Sequence, residues 1–200
     1  MMAKDFYSAI EDRRSIYAIS KEQVVSDEKI QEVIYHAVKH TPSAFNSQSA
    51  RVVVLLGEQH DKLWDLTKET LRKIVPENNF APTEEKMNAF KSGYGTVLYF
   101  EDSEVVEGLQ EKFALYKENF PTWSQQSSGM LQFAIWTALE IEGFGATLQH
   151  YNPLIDEKVR KEWDVPENWK LTAQMPFGKP VVLAGEKEFQ PLENRVKIYK

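Results

Sequence analysis

Met130-Leu131-Gln132-Phe133-Ala134-Ile135-Trp136-Thr137-Ala138-Leu139-Glu140-Ile141 is apolar on nearly every side of a helical projection. A surface helix keeps a polar stripe, whereas one without it must be covered all round. In a chain of 200 residues this predicts a central core helix, with a subunit interface as a further source of cover. Upstream, Thr122-x-x-Gln125 reads as a capping box, so the helix is expected over about 123–142, with Gly143 and Gly145 ending it.

Outward from this helix, helices and strands follow one another without the strict βαβ rhythm of a dinucleotide-binding fold. Phe6 to Ile10 suggests a first helix ending near Arg13. Ser26 caps a second, with Asp27 and Glu28 at the positive end of its dipole and Ile30, Val33, Ile34, Ala37 and Val38 as its buried stripe. Pro42 stops it. Arg51–Leu56, with VVVLL at its centre, reads as a short buried strand. A third helix is expected over Gln59–Val75, with Leu63, Leu66, Leu71 and Ile74 inward, then a short helix over 83–91 and a strand over 95–100. Asp102 or Ser103 caps a helix reaching about Tyr116. After the central helix come a strand over 145–150, a short helix over 156–163, and two strands, 171–175 and 180–184. One mixed sheet covered by helices, an α+β domain over residues 1–200, accounts for this order.

Composition narrows the function. Hydrophobic residues make up 42% and charged residues 27%, which argues against disorder. The net charge of -6 makes nucleic acid a poor partner. With no cysteine, thiol nucleophiles, thiolate zinc sites, disulfides and iron–sulfur clusters are excluded. No apolar run resembles a signal peptide or a membrane span, so a cytoplasmic protein is expected.

Hydrolytic and metal chemistry find little support. There is no Gly-x-Ser-x-Gly elbow, and Ser127-Ser128 lie inside the long helix. Glu84-Glu85 and Glu101-Asp102 read as solvated surface pairs. His36 and His40, with Glu32 on the same row, lie on the polar face of the second helix and lack the spacing of a helical zinc motif, so no metal is assigned.

Three segments remain. Arg13-Arg14-Ser15 places two planar, permanently charged donor forks beside a hydroxyl, which suits a phosphate, although alone it also reads as surface charge. Pro42-Ser43-Ala44-Phe45-Asn46-Ser47-Gln48 offers hydroxyls and amides that can donate and accept along a heterocycle edge; a polar turn is the plainer reading. Leu148-Gln149-His150-Tyr151-Asn152 stands at a strand end, a frequent place for ligand contacts.

Together these segments resemble, in order and spacing, the nitroreductase-like FMN flavoproteins. Arg13-Arg14-Ser15 resembles the family's Arg-Arg-Ser start, and residues 42–48 its Pro-Ser-x-x-Asn-x-Gln loop. Gly143 through Asn152 is similar to the segment after the family's central helix, Met175 to Pro180 to its late Gly-x-Pro strand, and Arg195 falls where a C-terminal basic residue usually sits. Gln149-His150-Tyr151-Asn152 replaces a commoner glycine-containing run, which points to the smaller branch linked to stress responses and, in fungi, to fatty-acid signalling.

The resemblance implies an α+β fold with a mixed, mostly antiparallel sheet, and an intertwined homodimer with FMN at its interface. By position, Arg13, Ser15 and Arg195 would hold the phosphate and ribityl chain, and Arg14 would lie near the pyrimidine side. Asn46 would pair with the pyrimidine edge, with Pro42, Ser43 and Gln48 nearby. Gln149 and His150 would approach N5, through a backbone N–H in the case of His150. Tyr17 stands where many relatives carry a basic residue. No long insertion between the helix near Thr83 and that at Thr122 is available as a substrate lid. The implied activity is an FMN-dependent NAD(P)H oxidoreductase reducing nitroaromatics or quinones by a ping-pong mechanism. A flavin-binding regulatory protein with little turnover is the alternative reading, and a structural dimer without flavin is a third.

Overall fold

The computed structural model describes residues 4–200. In chain order its elements are α1 (Phe6–Asp12), β1 (Ile19–Ser20), α2 (Asp27–His40), β2 (Ala50–Leu56), α3 (Glu58–Arg72), α4 (Ala81–Lys91), β3 (Gly95–Asp102), α5 (Ser103–Lys112), α6 (Phe120–Ile141), β4 (Gly145–Ala146), α7 (Asp156–Glu162) and β5 (Trp169–Pro180). The strands run in the order β1-β5-β3-β2, with β4 also on β5, and every strand pair is antiparallel. A single parallel bridge, Ser15 to Ala146, is found among the described residues. The α+β fold with a mostly antiparallel sheet is therefore as expected.

Strand alternation divides the core into two layers. On one face of the sheet, Val97, Tyr99, Ala173, Met175 and Phe177 pack with Ile30, Ile34 and Ala37 of α2 and Leu131, Ile135 and Leu139 of α6. On the other, Leu55, Leu98, Phe100 and Leu171 meet Leu63 and Trp64 of α3, Met87 and Phe90 of α4, and Val159 of α7. Val38, expected in the α2 stripe, is exposed instead. The apolar helix is central, as its sequence requires, yet Met130, Phe133 and Ile141 remain 44%, 38% and 42% exposed. One chain leaves part of that helix uncovered.

Several boundaries differ from expectation. Residue Thr122 lies inside the first turn of α6, which starts at Phe120 with Pro121 in its first turn; proline's fixed φ is ready-made for that position. At the other end Gly143 takes φ 92°, a left-handed stop open to glycine. The third helix ends at Arg72, leaving Ile74 exposed. Lys112 ends α5, and a 3-10 segment, Ala114–Asn119, carries the chain on to α6. Strand 145–150 reduces to β4 plus a bridge between Gln149 and Gln174. The two late strands are one twelve-residue strand, and residues 181–183 are exposed coil. Instead of being buried, β2 is an edge strand, half-covered along most of its length. The Glu101-Asp102 pair is buried, not solvated. Ser49 donates to Glu101 at 2.8 Å, while Asp102 caps α5 and accepts from Arg51 at 2.8 Å and Asn168 at 2.7 Å.

Candidate active site

Asp5 caps α1 by accepting from the amides of Tyr7 and Ser8, and the helix ends with the Arg13 N–H on Ala9 O. This delivers the Arg13 guanidinium to the face of Trp136 in α6, 4.4 Å from the ring centroid. Its Nε is buried and has no hydrogen-bond partner among the described residues. Burial, with the charge of Arg14 second, pushes its pKa down from the usual guanidinium value. The Arg13 cation is thus held in a place that disfavours its charge, which an anion would relieve.

The backbone then locks onto β4. Ser15 bridges Ala146, and the Ile16 amide donates to Ala146 O at 3.0 Å. Gly145 permits the approach, because a Cβ there would fall 2.8 Å from Ile16 side-chain atoms. Ser15 itself is exposed. Beside it, Arg14 lines a cleft of about 470 Å³ with Lys4, Trp136, Glu140 and Gly145, a size within the range of small-ligand pockets. Lys4 pairs with Asp12 at 2.7 Å and with Glu140.

The same stretch of chain carries the strand-end loop. Gln149 is buried and exchanges two backbone hydrogen bonds with Gln174, at 2.7 and 2.9 Å; His150 is exposed. Tyr151 packs edge-on against Trp64, at 5.9 Å between centroids. Burial, with nearby Tyr17 second, pushes its phenol up to about 12. Tyr17, 54% exposed and tilted over Phe90, therefore shares a lip with Tyr151.

The Asn46 loop is strained. Ser43 Oγ accepts the Gln48 amide at 2.9 Å, and Ala44–Asn46 form a 3-10 turn. Phe45, Asn46 and Gln48 have φ of 57°, 50° and 49°, left-handed values rare outside glycine and asparagine. Such backbone strain gathers at functional sites, where surrounding contacts hold it. The contacts here are aromatic: the Phe45 ring lies 4.8 Å from Phe113, 5.3 Å from Phe120 and 6.0 Å from Trp123. This collar, from Phe113 just after α5 and from the first turns of α6, stands where no lid was expected. Pro42, Ser43 and Gln48 line a second groove of about 370 Å³, with Val52, Val54 and Leu131. Asn46 itself is exposed.

One chain sets the segment after Arg13-Arg14 against β4, through Ser15 and Ile16 on Ala146, and Tyr17 near Tyr151 of the loop that follows β4. It does not bring Asn46 to them. Phe45 meets α6 at Trp123 and Arg13 meets it at Trp136, thirteen residues apart, which is about 20 Å of helix rise. Arg195 lies on the exposed tail beyond a 3-10 turn, Leu192–Asn194. His36 and His40 are exposed on α2, and among the described residues no group of three or more candidate metal ligands occurs.

Residues 10–179 match the model of the Nitroreductase family. The chain belongs to the Nitroreductase family. HBN1 of Saccharomyces cerevisiae is 37% identical over 189 residues, covering 94% of this chain and 93% of its own, and the nitroreductase FRM2 of the same yeast is 34% identical, covering 98% and 97%. Among solved structures, the nitroreductase CinD from Lactococcus lactis in complex with chloramphenicol superposes with a TM-score of 0.90 at 46% identity, over 98% of this chain and all of that one. CinD is also known in complex with 4-nitrophenol. Membership makes the chain an oxidoreductase of nitroreductase type. No described helix is long and apolar enough to cross a membrane.

For a nitroreductase, two parts of this site carried no local signal. Trp136 read as core, and its stacking on Arg13 needs α1 to reach α6. Gln174 is the fully buried polar residue of β5, and only the fold sets it beneath the strand-end loop.

Proposed function

We propose that the protein is an FMN-dependent NAD(P)H oxidoreductase of one domain, acting as an intertwined homodimer on nitroaromatics or quinones. The carrying observation is the buried, unpartnered Nε of Arg13 beside a second guanidinium, on a segment that bridges β4 just ahead of Gln149 and His150. A phosphate with an uncharged chain and a hydrogen-bonding ring fits that donor set. Arg13 and Ser15 hold the phosphate end, joined by Arg195. Arg14 offers positive charge to the pyrimidine side, where negative charge gathers when FMN is reduced. Asn46 takes the pyrimidine edge, with Pro42, Ser43 and Gln48 around it. FMN, when bound, supplies the hydride chemistry, so no acid–base pair is required of the chain.

The roughly 20 Å of α6 that separates the Arg13 contact at Trp136 from the Phe45 contact at Trp123 supports a homodimer, with each FMN held by Arg13 from one protomer and Asn46 from the other. Two further features support it. β2 leaves one edge open, and Arg195-Val196-Lys197-Ile198 alternates polar and apolar residues without forming a strand in its own chain. The uncovered Met130, Phe133 and Ile141 supply the apolar surface that a second copy would bury.

A single open face serves NAD(P)H and then the acceptor, which is the ping-pong order. The aromatic collar around Phe45 favours flat acceptors, and the nitro-bearing ligands of CinD point to the same class. The test is the visible spectrum of the protein after FMN addition and gel filtration, followed by NADH and NADPH oxidation with a quinone or nitroaromatic acceptor. Bound flavin with turnover is expected. Protein that takes up no flavin overturns the reading, and a flavin-loaded dimer with negligible turnover replaces it with a regulatory flavin-binding role.

A further inference from the structure

Gln174 has no exposed surface, yet it sits in a layer built from apolar side chains. Its neighbours Ala173 and Met175 face the α2 and α6 side, so Gln174 points to the layer of α3, α4 and α7, and its strand partner there is Leu98. Burying a carboxamide in that setting costs free energy unless its polar atoms are used. They are used on one short loop. The Gln174 backbone exchanges hydrogen bonds with Gln149 at 2.7 and 2.9 Å. Its Oε1 accepts the Tyr151 amide at 2.7 Å, and its Nε2 donates to Asn152 Oδ1 at 3.4 Å. One residue thereby holds the amides on both sides of His150. Among the described residues no acceptor pairs with the His150 N–H, and His150 is exposed.

We propose that Gln174 is a positioning residue: it clamps Gln149 and Tyr151 so that the His150 amide between them is presented as the donor to FMN. The inference rests on the flavin reading above. A buried amide that only filled space would need no contact with Tyr151 or Asn152. A loop fixed at 149 and 151 has little freedom left at 150, so the donor is preorganised instead of ordered on binding. The imidazole of His150 has no part in this arrangement.

The experiment is residue-resolved amide hydrogen exchange on the parent dimer, with and without FMN, combined with kinetics of Gln174→Met and Gln174→Glu. In the parent, the amides of Gln149 and Tyr151 are expected to exchange slowly without FMN, and that of His150 to slow only when FMN is added. Gln174→Met keeps the volume and loses both side-chain bonds. It should free the Tyr151 amide, abolish FMN-dependent protection at His150 and lower kcat by about tenfold or more, the scale expected of a misplaced group, with FMN affinity and KM little changed. In Gln174→Glu the buried acid stays neutral, keeping an acceptor for Tyr151 and a donor for Asn152, and parent behaviour should return. The proposal is overturned if Gln174→Met keeps the parent kcat and His150 protection. Should that variant not fold, the parent decides alone: a Tyr151 amide that exchanges as fast as His150 without FMN, or a His150 amide indifferent to FMN, overturns it equally. A parent that takes up no FMN overturns the functional reading instead, and is detected by its spectrum before any exchange is measured.

Discussion

The Arg13 guanidinium carbon stands over Trp136, 4.4 Å from the centre of the ring, with Nε buried and unpartnered among the described residues. Stacking on the indole face offsets part of the cost of holding a cation there and fixes the plane of its donors. Arg13→Ala should weaken FMN binding on the order of 10- to 100-fold, the worth of one or two charge-assisted bonds. Arg13→Lys should recover only part of this, because an ammonium has no fork to orient. Flavin fluorescence titration checks both, and equal affinity for Lys and Arg variants would show that charge alone matters.

Arg13 and Asn46 can be assigned to chains by complementation. If each FMN takes Arg13 from one protomer and Asn46 from the other, a heterodimer of an Arg13→Ala chain with an Asn46→Ala chain contains one intact site and one doubly altered site. Tagged, co-expressed heterodimers should then bind about one flavin per dimer, while either homodimer binds far less at the same concentration. If both residues serve the same site from one chain, every site in the heterodimer is altered and no flavin is recovered.

How much of this was legible follows from where each signal lives. The run 130–141, the Ser26 cap and the Gly143 stop are local patterns, and the structure keeps all three. Glu101 and Asp102 read as solvated because their partners, Ser49, Arg51 and Asn168, are supplied by distant segments. Pro176 and Gly178 interrupt the pattern of β5, so its sequence reads as two strands; the strand tolerates them since Pro176 still offers its carbonyl to the Thr147 amide at 3.2 Å. The Arg, Asn46 and Gln149 segments were visible as donors in sequence. That they form two separate groups along α6 depends on which ends of that helix α1 and the Asn46 loop reach, and no local pattern carries that.

Gly145 tests the link between the arginine pair and the sheet. A Cβ there would meet Ile16 at 2.8 Å, closer than real contacts allow, so Gly145→Ala must push the 13–16 segment off β4. Overpacking of this kind costs about 1–3 kcal/mol. The expected result is a lowered unfolding midpoint together with weaker FMN binding, since Ser15 moves with Ile16. Denaturant titration and flavin binding on the same preparation check it; a loss of stability with FMN affinity intact would detach Ser15 from the phosphate.

The tail should decide assembly. Removal of residues 185–200 takes away Phe189, Leu192, Val196, Ile198 and Tyr199, all exposed in the single chain. If a second copy covers them, the shortened chain should sediment as a monomer in analytical ultracentrifugation while keeping the circular dichroism of the folded parent. A shortened chain that remains dimeric would place the interface on α6 alone.

His60 gives the fold a pH dependence independent of the site. Its Nδ1 lies 2.8 Å from Thr96 Oγ1 and its Nε2 3.2 Å from Lys91 O, while the Trp64 indole donates to the same Thr96 oxygen at 3.0 Å. Thr96 thus accepts from Trp64 and gives its proton to Nδ1, which fixes the neutral tautomer with Nε2–H on the carbonyl. Burial pushes the pKa of His60 down from 6.5 to about 4, so the unfolded chain takes up a proton in a range where the folded one does not. The contribution of His60 to stability is therefore complete above pH 6.5, declines as pH falls towards 4, and is level below that. Its full size is about 3 kcal/mol at 1.36 kcal/mol per pKa unit. His60→Gln should be less stable at pH 7 and lose less stability between pH 6.5 and 4 than the parent, as read from urea unfolding at several pH values. Parallel pH curves for the two proteins would show that some other group carries the acid sensitivity.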